Sequence, residues 1–294
     1  MPSSVAIIIP VYNVVQYLEQ AVGSAAGQDH TPLEVIVVDD GSGKEASGEI
    51  ARICTQFPGV TLLAQKNKGA AAARDAGLAH STADHVLFLD ADDVLQPHAA
   101  STLSSALDTH PDYVASYARY QKVDAQGTPI GAAKPPLERQ VSGRQMLCKL
   151  LELKPPFVIG SICVRRSALQ ALKVPNHGLT YGEDWALWCH LALSGNIAPA
   201  SDKVAVQYRE HVASASTAYA KDPMPVFEAF DRIFKDPVFS NALGKDKLLQ
   251  LEQECINNTH MRLARYYAAH NDKEKSQRHF DAMTLPPAEF YKKR

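Results

Sequence analysis

Three aspartates stand within four positions in the segment HVLFLDADDV, and their spacing is suited to metal chemistry. Asp90, Asp92 and Asp93 directly follow the apolar run at 86–89, which is typical of a buried strand. Side chains two positions apart on an extended chain point to the same side, so Asp90 and Asp92 would face each other. Two carboxylates about 4 Å apart repel by roughly 4 kcal/mol at an effective dielectric constant near 20. A hard divalent cation, Mg²⁺ or Mn²⁺, would remove that repulsion.

Helix initiation explains part of the same segment. Aspartates are good N-caps and are favoured at the positive end of a helix, and a helix is expected to begin near Pro97. Capping accounts for Asp93 and, less directly, for Asp92, whereas Asp90 ends the strand and needs no such role. Within this segment alone, capping and metal binding remain two equally good explanations.

The segment belongs to a run of alternating strands and helices in the first part of the chain. Such alternation predicts an α/β fold with a parallel sheet wound by right-handed crossovers, in which ligands bind beyond the carboxyl ends of the strands. Polar segments follow three of those ends, and we expect them to meet at one rim of the sheet: PVYN, DDGS and DADD. The predicted strands are 5–9, 35–38, 60–63 and 86–89, and the predicted helices are 15–26, 46–57 and 70–79.

The pattern changes after about residue 112. Strands are predicted around 113–123 and 158–164, and helices over 142–153 and 185–194. Beyond about residue 215 the alternation stops, and helices are predicted near 224–236, 246–269 and 273–283. We therefore expect a domain over residues 1–215, with halves 1–112 and 113–215, followed by a helical region over 216–294.

Composition excludes several classes of protein. A formal net charge of −2 over 294 residues leaves no basic field for nucleic acid. Five widely spaced cysteines without a C-x-x-C pair disfavour a disulfide framework or a cysteine zinc site and indicate a reducing compartment. There is no apolar stretch near the roughly 20 residues that cross a bilayer, and the N-terminus lacks the features of a signal peptide. The expected location is the cytoplasm.

Six segments, taken together and in order, resemble the family 2 glycosyltransferases: VAIIIPVYN, LEVIVVDDGS, NKGAAAARDAGL, FLDADD, GEDW and YREH. The resemblance covers roughly residues 4–215. It implies the GT-A fold, a Rossmann-like mixed sheet flanked by helices, to which the helices predicted beyond residue 215 add an α-helical C-terminal extension. It also implies transfer of a sugar from a nucleotide-diphosphate donor, with UDP as the default nucleotide, to an acceptor hydroxyl. Such transfer inverts the anomeric carbon and uses Mn²⁺ or Mg²⁺.

The resemblance assigns roles to individual residues. Asp184, in GEDW, would be the general base for the acceptor hydroxyl, and Glu183 would orient the acceptor. Asp92 and His211, the latter in YREH, would ligate the metal. The residues that would bind the nucleotide sugar are Pro10, Tyr12, Asp39, Asp40, Lys68, Arg74, Asp90, Ala91 and Arg209.

The residue pattern supports the base independently of the resemblance. Asp184, Trp188 and Leu191 are spaced to share one helical face, so partial burial would raise the pKa of Asp184 toward that of a working base. An acidic first helical turn is the alternative explanation for both Glu183 and Asp184.

Other candidates also have plainer explanations. A capped turn explains DDGS, which contains Asp40. A solvated helical residue explains Arg74, which precedes Asp75 where the family usually has asparagine. An exposed edge-strand position explains Arg209, and simple packing explains Tyr12.

Two further hypotheses concern the function as a whole. Processive family 2 synthases carry a Q-x-x-R-W block and transmembrane helices, and the absence of both from this sequence favours single addition. The expected acceptor is a glycan or a lipid-linked sugar used in cell-surface polysaccharide synthesis. A non-catalytic nucleotide-sugar sensor or scaffold is the alternative, although the joint presence of Asp92 and Asp184 favours an enzyme.

The helical region 216–294 lies outside the resemblance. Its segment LEQECINNTHMRLARYYAAH has apolar residues at helical spacing, which predicts packing on the body of the protein or on a partner. A homodimer through these helices, or a lid over the acceptor site, are two hypotheses. The terminal FYKKR offers peripheral contact with the inner face of an anionic membrane, and a frayed, solvated end is the simpler explanation.

Overall fold

The computed structural model describes residues 2–134, 140–172, 179, 181–211 and 224–283. The chain forms two compact units. The first comprises Met1–Met146, Pro155–Gly178 and Glu183–His211, and the second comprises Leu147–Lys154, Leu179–Gly182 and Val212–Arg294.

The first half of the first unit has the predicted alternation of strands and helices. Its elements are β1 (Val5–Val11), α1 (Leu18–Ala26), β2 (Leu33–Asp39), α2 (Lys44–Thr55), β3 (Val60–Ala64), α3 (Ala70–His80) and β4 (His85–Phe88). The strand β1 pairs in parallel with β2 and β4, and β2 pairs in parallel with β3. All seven residues of β1 are buried, as expected for a central parallel strand with both faces covered.

The second half of the first unit makes the sheet mixed. The elements that follow β4 are β5 (Val94–Leu95), α4 (Ala99–Thr109), β6 (Tyr113–Val123), α5 (Gly143–Leu151), β7 (Ile162–Arg165), α6 (Arg166–Ala171), α7 (Glu183–Ser194) and β8 (Asn196–Arg209). Of α5, the residues from Leu147 onward belong to the second unit. The eight strands have the order β3-β2-β1-β4-β7-β6-β8-β5. Antiparallel pairs join β7 to β4 and to β6, and join β5 to β8. The predicted Rossmann-like mixed sheet flanked by helices is confirmed.

One predicted strand boundary in this half needs correction, and the last strand was not predicted. The strand expected at 158–164 begins only at Ile162, because Ile159–Ser161 form one turn of 3₁₀ helix. The hydroxyl of Ser161 accepts a hydrogen bond from the backbone N–H of Val158 at 3.0 Å, which closes that turn. The bounds of β8 were not predicted, because its 14 residues mix polar and apolar side chains without a clear period.

Close packing of α3 on β1 sets the position of one functional candidate. A Cβ atom added to Gly77 would lie 2.4 Å from Cγ2 of Ile8, so only glycine permits this approach. Arg74 lies one helical turn earlier on the same buried side of α3. The glycine of the segment RDAG therefore helps to fix where the arginine reaches.

The second unit contains the helices α8 (Met224–Phe234), α9 (Pro237–Leu243), α10 (Lys245–Ala269) and α11 (Lys273–Asp281). These helices confirm the predicted helical C-terminal extension. Of the predicted apolar stripe on α10, four residues are buried and Ala268 is exposed: Leu251, Cys255, Met261 and Ala264 are the buried ones. The FYKKR terminus lies outside the described residues. Among the described helices, none is long and apolar enough to span a bilayer.

Candidate active site

The DADD turn forms at the carboxyl end of β4. The backbone N–H of Leu89 donates to the carbonyl of Ile8 at 3.0 Å, and the N–H of Asp93 donates to the carbonyl of Asp90 at 3.1 Å. This turn gathers the three acids, because one carboxylate oxygen from each of Asp90, Asp92 and Asp93 lies within 4.8 Å of the others. The side chains of Asp90 and Asp92 are 36% and 25% exposed, whereas Asp93 is buried. The cluster therefore opens to solvent through Asp90 and Asp92.

The electrostatics of this cluster favour an added cation. Burial and the charge of Asp90 raise the pKa of Asp92. Burial and the charges of Asp90 and Asp92 hold the pKa of Asp93 well above its ordinary value. One oxygen of Asp93, Oδ2, is buried without a hydrogen-bond partner among the described residues. A crowded set of carboxylate oxygens with an unmet acceptor is a donor set that Mg²⁺ or Mn²⁺ would fit.

The pairing of β5 with β8 brings a histidine to the same place. Val94 is opposite Gln207 and Leu95 is opposite Val206, so residues beyond the end of β8 run toward the DADD turn. Nε2 of His211 lies 2.9 Å from Oδ2 of Asp92. The structure thus brings together the two predicted metal ligands, Asp92 and His211, although they are 119 positions apart in the chain.

Arg209 has a different environment from the one expected. It is only 3% exposed, so the edge-strand explanation is wrong. Its Nε donates to the carbonyl of Asp92 at 2.8 Å, Nη1 to the carbonyl of Ala125 at 3.0 Å and Nη2 to Oε1 of Gln20 at 2.8 Å. The guanidinium also lies 4.5 Å from the ring centroid of Tyr17. All three nitrogens are engaged within the protein, and the bond to Asp92 ties Arg209 to the DADD turn. The role of Arg209 in donor binding stays a prediction.

Arg74 connects the acidic turn to the start of α7. The residue is 7% exposed, which excludes a solvated helical arginine. Its Nη2 lies 3.0 Å from Oδ1 of Asp90, and its Nη1 lies 3.0 Å from Oε1 of Glu183. Burial lowers the pKa of Arg74, but the carboxylates of Asp90, Glu183 and Asp184 outweigh burial and raise it overall. One buried cation therefore joins the two acidic segments that the sequence analysis singled out.

Asp184 lies at the first turn of α7, which buried aromatic residues anchor. Trp185 and Trp188 are buried, and the ring of Trp188 meets the ring of Phe157 edge-on at 5.7 Å. Oδ1 of Asp184 accepts a hydrogen bond from the backbone N–H of Trp185 at 2.7 Å. Burial, followed by the charge of Glu183, raises the pKa of Asp184 to about 6. A carboxylate with that pKa is ionised at neutral pH and is basic enough to accept a proton from a hydroxyl as it reacts.

The two aspartates that follow β2 shape neighbouring loops. Asp39 accepts hydrogen bonds from the backbone N–H of Ser42 and the hydroxyl of Ser47. These bonds outweigh burial, so the pKa of Asp39 is lowered. Asp40 accepts from Nε2 of Gln65 at 2.7 Å and from the backbone N–H groups of Lys68 and Gly69 at 2.9 and 2.8 Å. A carboxylate has about four lone-pair sites, so these three bonds leave Asp40 one for a ligand.

The remaining donor-binding candidates differ in exposure. Tyr12 is 50% exposed and the side chain of Lys68 lies at the surface, so both are accessible to a ligand. Pro10 and Ala91 are buried, which restricts them to backbone contacts and to shaping the rim. The loop that carries Tyr12 is tied to the next one because Oδ1 of Asn13 accepts from the N–H of Gly43 at 2.9 Å.

Several residues that organise this site were not predicted from the sequence. Gln20 and Tyr17 contact Arg209, and Gln65 contacts Asp40. Gln65 directly follows β3, and Tyr17 and Gln20 lie at the start of α1. Such positions are too common to separate these residues from their neighbours.

Comparison with known proteins identifies the family. The sequence model of the family described as Glycosyl transferase family 2 matches residues 6–172 of this chain. The chain belongs to glycosyl transferase family 2. It is 28% identical over 211 residues to an uncharacterized glycosyltransferase of Rickettsia bellii, a match that covers 70% of this chain and 29% of that protein. A Haemophilus influenzae relative is 30% identical over 175 residues, covering 58% of this chain and 66% of that protein.

The chain spans about three tenths of the length of three glycosyltransferase relatives it matches, those of Rickettsia bellii, Rickettsia felis and Rickettsia conorii. Solved structures support the same fold at low identity. TarS 1-349 of S. aureus in complex with UDP-GlcNAc has a TM-score of 0.65 at 17% identity, covering 95% of this chain and 91% of that one. The mannosyltransferase PcManGT of Pyrobaculum calidifontis, in complex with GDP-Man and Mn²⁺, has a TM-score of 0.58 at 19% identity. That match covers 100% of this chain and 79% of PcManGT. These likenesses confirm a GT-A type fold.

Proposed function

We propose that the protein transfers a sugar from a nucleotide-diphosphate donor to an acceptor hydroxyl, one sugar at a time and with inversion. The observation that carries this proposal is the bridge at Arg74, which holds Asp90 of the acidic turn and Glu183 beside Asp184 at 3.0 Å each. It joins a candidate cation site to a candidate general base at one edge of the sheet. A UDP-sugar is the proposed donor, supported by the UDP-GlcNAc bound to TarS.

A divalent cation, Mn²⁺ or Mg²⁺, is the proposed cofactor. Asp92 and His211 would hold it, with Asp90 and Asp93 supplying further negative charge nearby. When bound, such a cation stabilises the charge that develops on a departing diphosphate. The Mn²⁺ in PcManGT, which has the same fold, supports this proposal.

Asp184 is the proposed general base. With a pKa of about 6 its carboxylate is ionised at neutral pH, so it can accept the proton of the acceptor hydroxyl as the oxygen attacks the anomeric carbon. That attack forms the new glycosidic bond while the bond to the diphosphate breaks, and the electron pair leaves with the diphosphate. We propose that Glu183 orients the acceptor through the carboxylate oxygen that Arg74 does not bind.

The proposed domain roles follow the position of these residues. Residues 1–112 carry the donor-site candidates apart from Arg209, and we propose that 113–215 receive the acceptor. The proposed acceptor is a glycan or lipid-linked sugar of cell-surface polysaccharide synthesis. We further propose that the protein acts in the cytoplasm with peripheral membrane contact. We propose that the region 216–294 forms a dimerisation surface.

A thermal-shift screen of nucleotide sugars tests the proposal. We expect one UDP-sugar to raise Tm with Mn²⁺ or Mg²⁺ present, corresponding to about 2.7 kcal/mol at a ligand concentration a hundredfold above Kd. EDTA should remove the shift. The stabilising donor should then release UDP slowly without acceptor and faster with one. Binding without any release of UDP would favour the sensor or scaffold, and failure of all UDP- and GDP-sugars to bind would overturn both.

A further inference from the structure

Two histidine rings meet between the helices α10 and α11 of the second unit. Nδ1 of His260, on α10, lies 3.0 Å from Nδ1 of His279, on α11. The ring centroids are 5.3 Å apart. The pair belongs to a different compact unit from the aspartate cluster, and the proposed sugar transfer does not use it.

Both rings are kept neutral. Burial and the neighbouring His279 lower the pKa of His260, and burial lowers the pKa of His279. In the metal-free pair one ring donates its Nδ1–H and the other accepts on the Nδ1 lone pair. A neutral imidazole is also the form that ligates transition metals.

The distance between the two nitrogens matches that of neighbouring ligands on one metal ion. With metal–nitrogen bonds of about 2.0–2.1 Å, two ligands lie roughly 2.9 Å apart at a right angle and roughly 3.3 Å apart in a tetrahedron. The observed 3.0 Å is close to the right-angle value. A tetragonal site with nitrogen ligands is typical of Cu²⁺ or Ni²⁺.

Aromatic side chains hold the two rings in place. The ring of Phe227 lies 5.1 Å from that of His260, and the ring of Tyr267 stacks on that of His279 at 5.5 Å with an interplanar angle of 2°. Both histidines keep partial solvent access, which leaves a route for an ion. Rings that are already oriented lose little freedom when a cation binds, so the pair is preorganised.

We propose that His260 and His279 form a two-histidine site for a late first-row divalent cation, of the Ni²⁺, Cu²⁺ and Zn²⁺ class, which clips α11 to α10. Within the described parts of the chain, the aspartate cluster is the only group of three or more ligand atoms close together. Water would therefore complete the coordination at the histidine pair. On binding, the proton on the donating Nδ1 moves to Nε2 of the same ring, so the neutral pair coordinates without releasing a proton.

Titration with Ni²⁺ tests the site. The experiment uses tag-free full-length protein carrying His211→Gln, without nucleotide and in excess Mg²⁺, so that the aspartate cluster offers Ni²⁺ no nitrogen ligand. We expect saturable binding with a rise in Tm, and loss of both in His279→Gln. Removing a ligand should weaken binding by more than the roughly 10–100-fold that an outer-sphere partner costs. His270→Gln is the matched control, because His270 is an exposed histidine of the same unit whose Nδ1 lies 2.8 Å from the carbonyl of Tyr266.

A spectroscopic measurement keeps the proposal testable if His279→Gln folds poorly. In a His211→Gln background, the electron paramagnetic resonance spectrum of one equivalent of Cu²⁺ should show coupling to two nitrogens. Coupling to fewer than two nitrogens would overturn the proposal. So would Ni²⁺ binding of equal strength with and without His279→Gln in the His211→Gln background, or the absence of saturable Ni²⁺ binding there. None of these outcomes depends on sugar transfer.

Discussion

Both ends of β4 carry ionisable side chains, but the pKa values of their carboxylates shift in opposite directions. At the amino end, Asp84 accepts from the backbone N–H and hydroxyl of Ser4 at 2.9 and 2.8 Å, and these bonds lower its pKa. Hydrogen bonds from Ser3 likewise outweigh burial and lower the pKa of Asp108. At the carboxyl end, burial and mutual repulsion raise the pKa of Asp92 and of Asp93.

The arginines at the two ends differ in the same way. Arg165 at the amino end donates to neutral carbonyls, those of Tyr113 at 2.7 Å and Leu107 at 2.5 Å. Arg74 at the carboxyl end is held by the carboxylates of Asp90 and Glu183. Hydrogen bonds within the protein stabilise the charged carboxylates at the amino end. At the carboxyl end, the nearby positive charge does not offset burial and the repulsion among the carboxylates. Perturbed acids of this kind mark functional sites more often than structural ones, and the comparison predicts which substitutions will affect function.

The largest expected effect is that of Asp184→Asn on turnover. Removing a general base should reduce kcat by roughly 10²–10⁴-fold, with donor binding close to normal because the amide keeps the shape of the side chain. In the unmodified protein, kcat/KM should rise as the pH increases through about 6, since Asp184 must lose its proton to act. Steady-state kinetics and a donor titration measure both. Normal turnover in this variant would remove Asp184 from the mechanism.

Asp92→Ala should abolish the cation-dependent stabilisation by donor. The loss should reach about 2.7 kcal/mol under conditions where the unmodified protein is saturated a hundredfold above Kd. Asp108→Asn, at the amino end of β4, is the matched control and should keep the full shift. Thermal-shift assays with and without Mn²⁺ compare the two variants. An equal loss in both variants would show that the difference in carboxylate pKa between the two ends of β4 does not mark the cation site.

Arg74→Met and Arg165→Met separate the roles of the two arginines. Both should destabilise the fold by about 1–3 kcal/mol, because each leaves partly buried acceptors without a donor. Only Arg74→Met should move the pH profile of turnover upward, since the positive charge of Arg74 lowers the pKa of Asp184. Urea unfolding measures the first effect and the kinetic pH profile the second. A pH profile that moves equally in the two variants, or in neither, would contradict the proposed effect of Arg74 on the pKa of Asp184.

The smallest expected effect concerns stability at the amino end. Burial lowers the pKa of His85 below its ordinary value, so the unfolded chain binds a proton more readily there than the folded one. Neutral His85 therefore contributes fully to the free energy of unfolding above about pH 6.5, and this contribution is lost as the pH falls below that value. The free energy of unfolding should fall by at most about 1.4 kcal/mol per pH unit for this one group. Urea midpoints at pH 7.5 and 5.5 should differ less in His85→Gln. An unchanged difference would assign the acid sensitivity to other groups.

Much of the fold could be predicted because its signals are local. The apolar runs of β1, β2 and β4 and the apolar spacing on α7 and α10 are patterns that one element carries by itself. Boundaries failed where a long-range partner decides them. Ile159–Ser161 form a turn although their residues resemble a strand, and β8 follows its pairing with β6 through several register shifts.

The site candidates divide along the same line. Asp90, Asp92 and Asp184 could be selected from their position at a strand end or a helix start, although their roles remain predictions. The burial of Arg209 could not be predicted, because its surroundings come from segments far apart in the chain, including Gln20, 189 positions away. No local pattern reports such contacts.

What the amino-acid sequence determined by itself is the kind of chemistry available: a carboxylate-rich turn after a buried strand, and an acidic helix start anchored by tryptophans. What only the tertiary structure decided is which of these groups meet. Arg74 reaches both Asp90 and Glu183, 16 and 109 positions away, and this requires the close approach of α3 to β1 at Gly77. The physical reason is that side-chain type and strand or helix period are local properties. Charge pairing depends on distances that exist only once the sheet has formed.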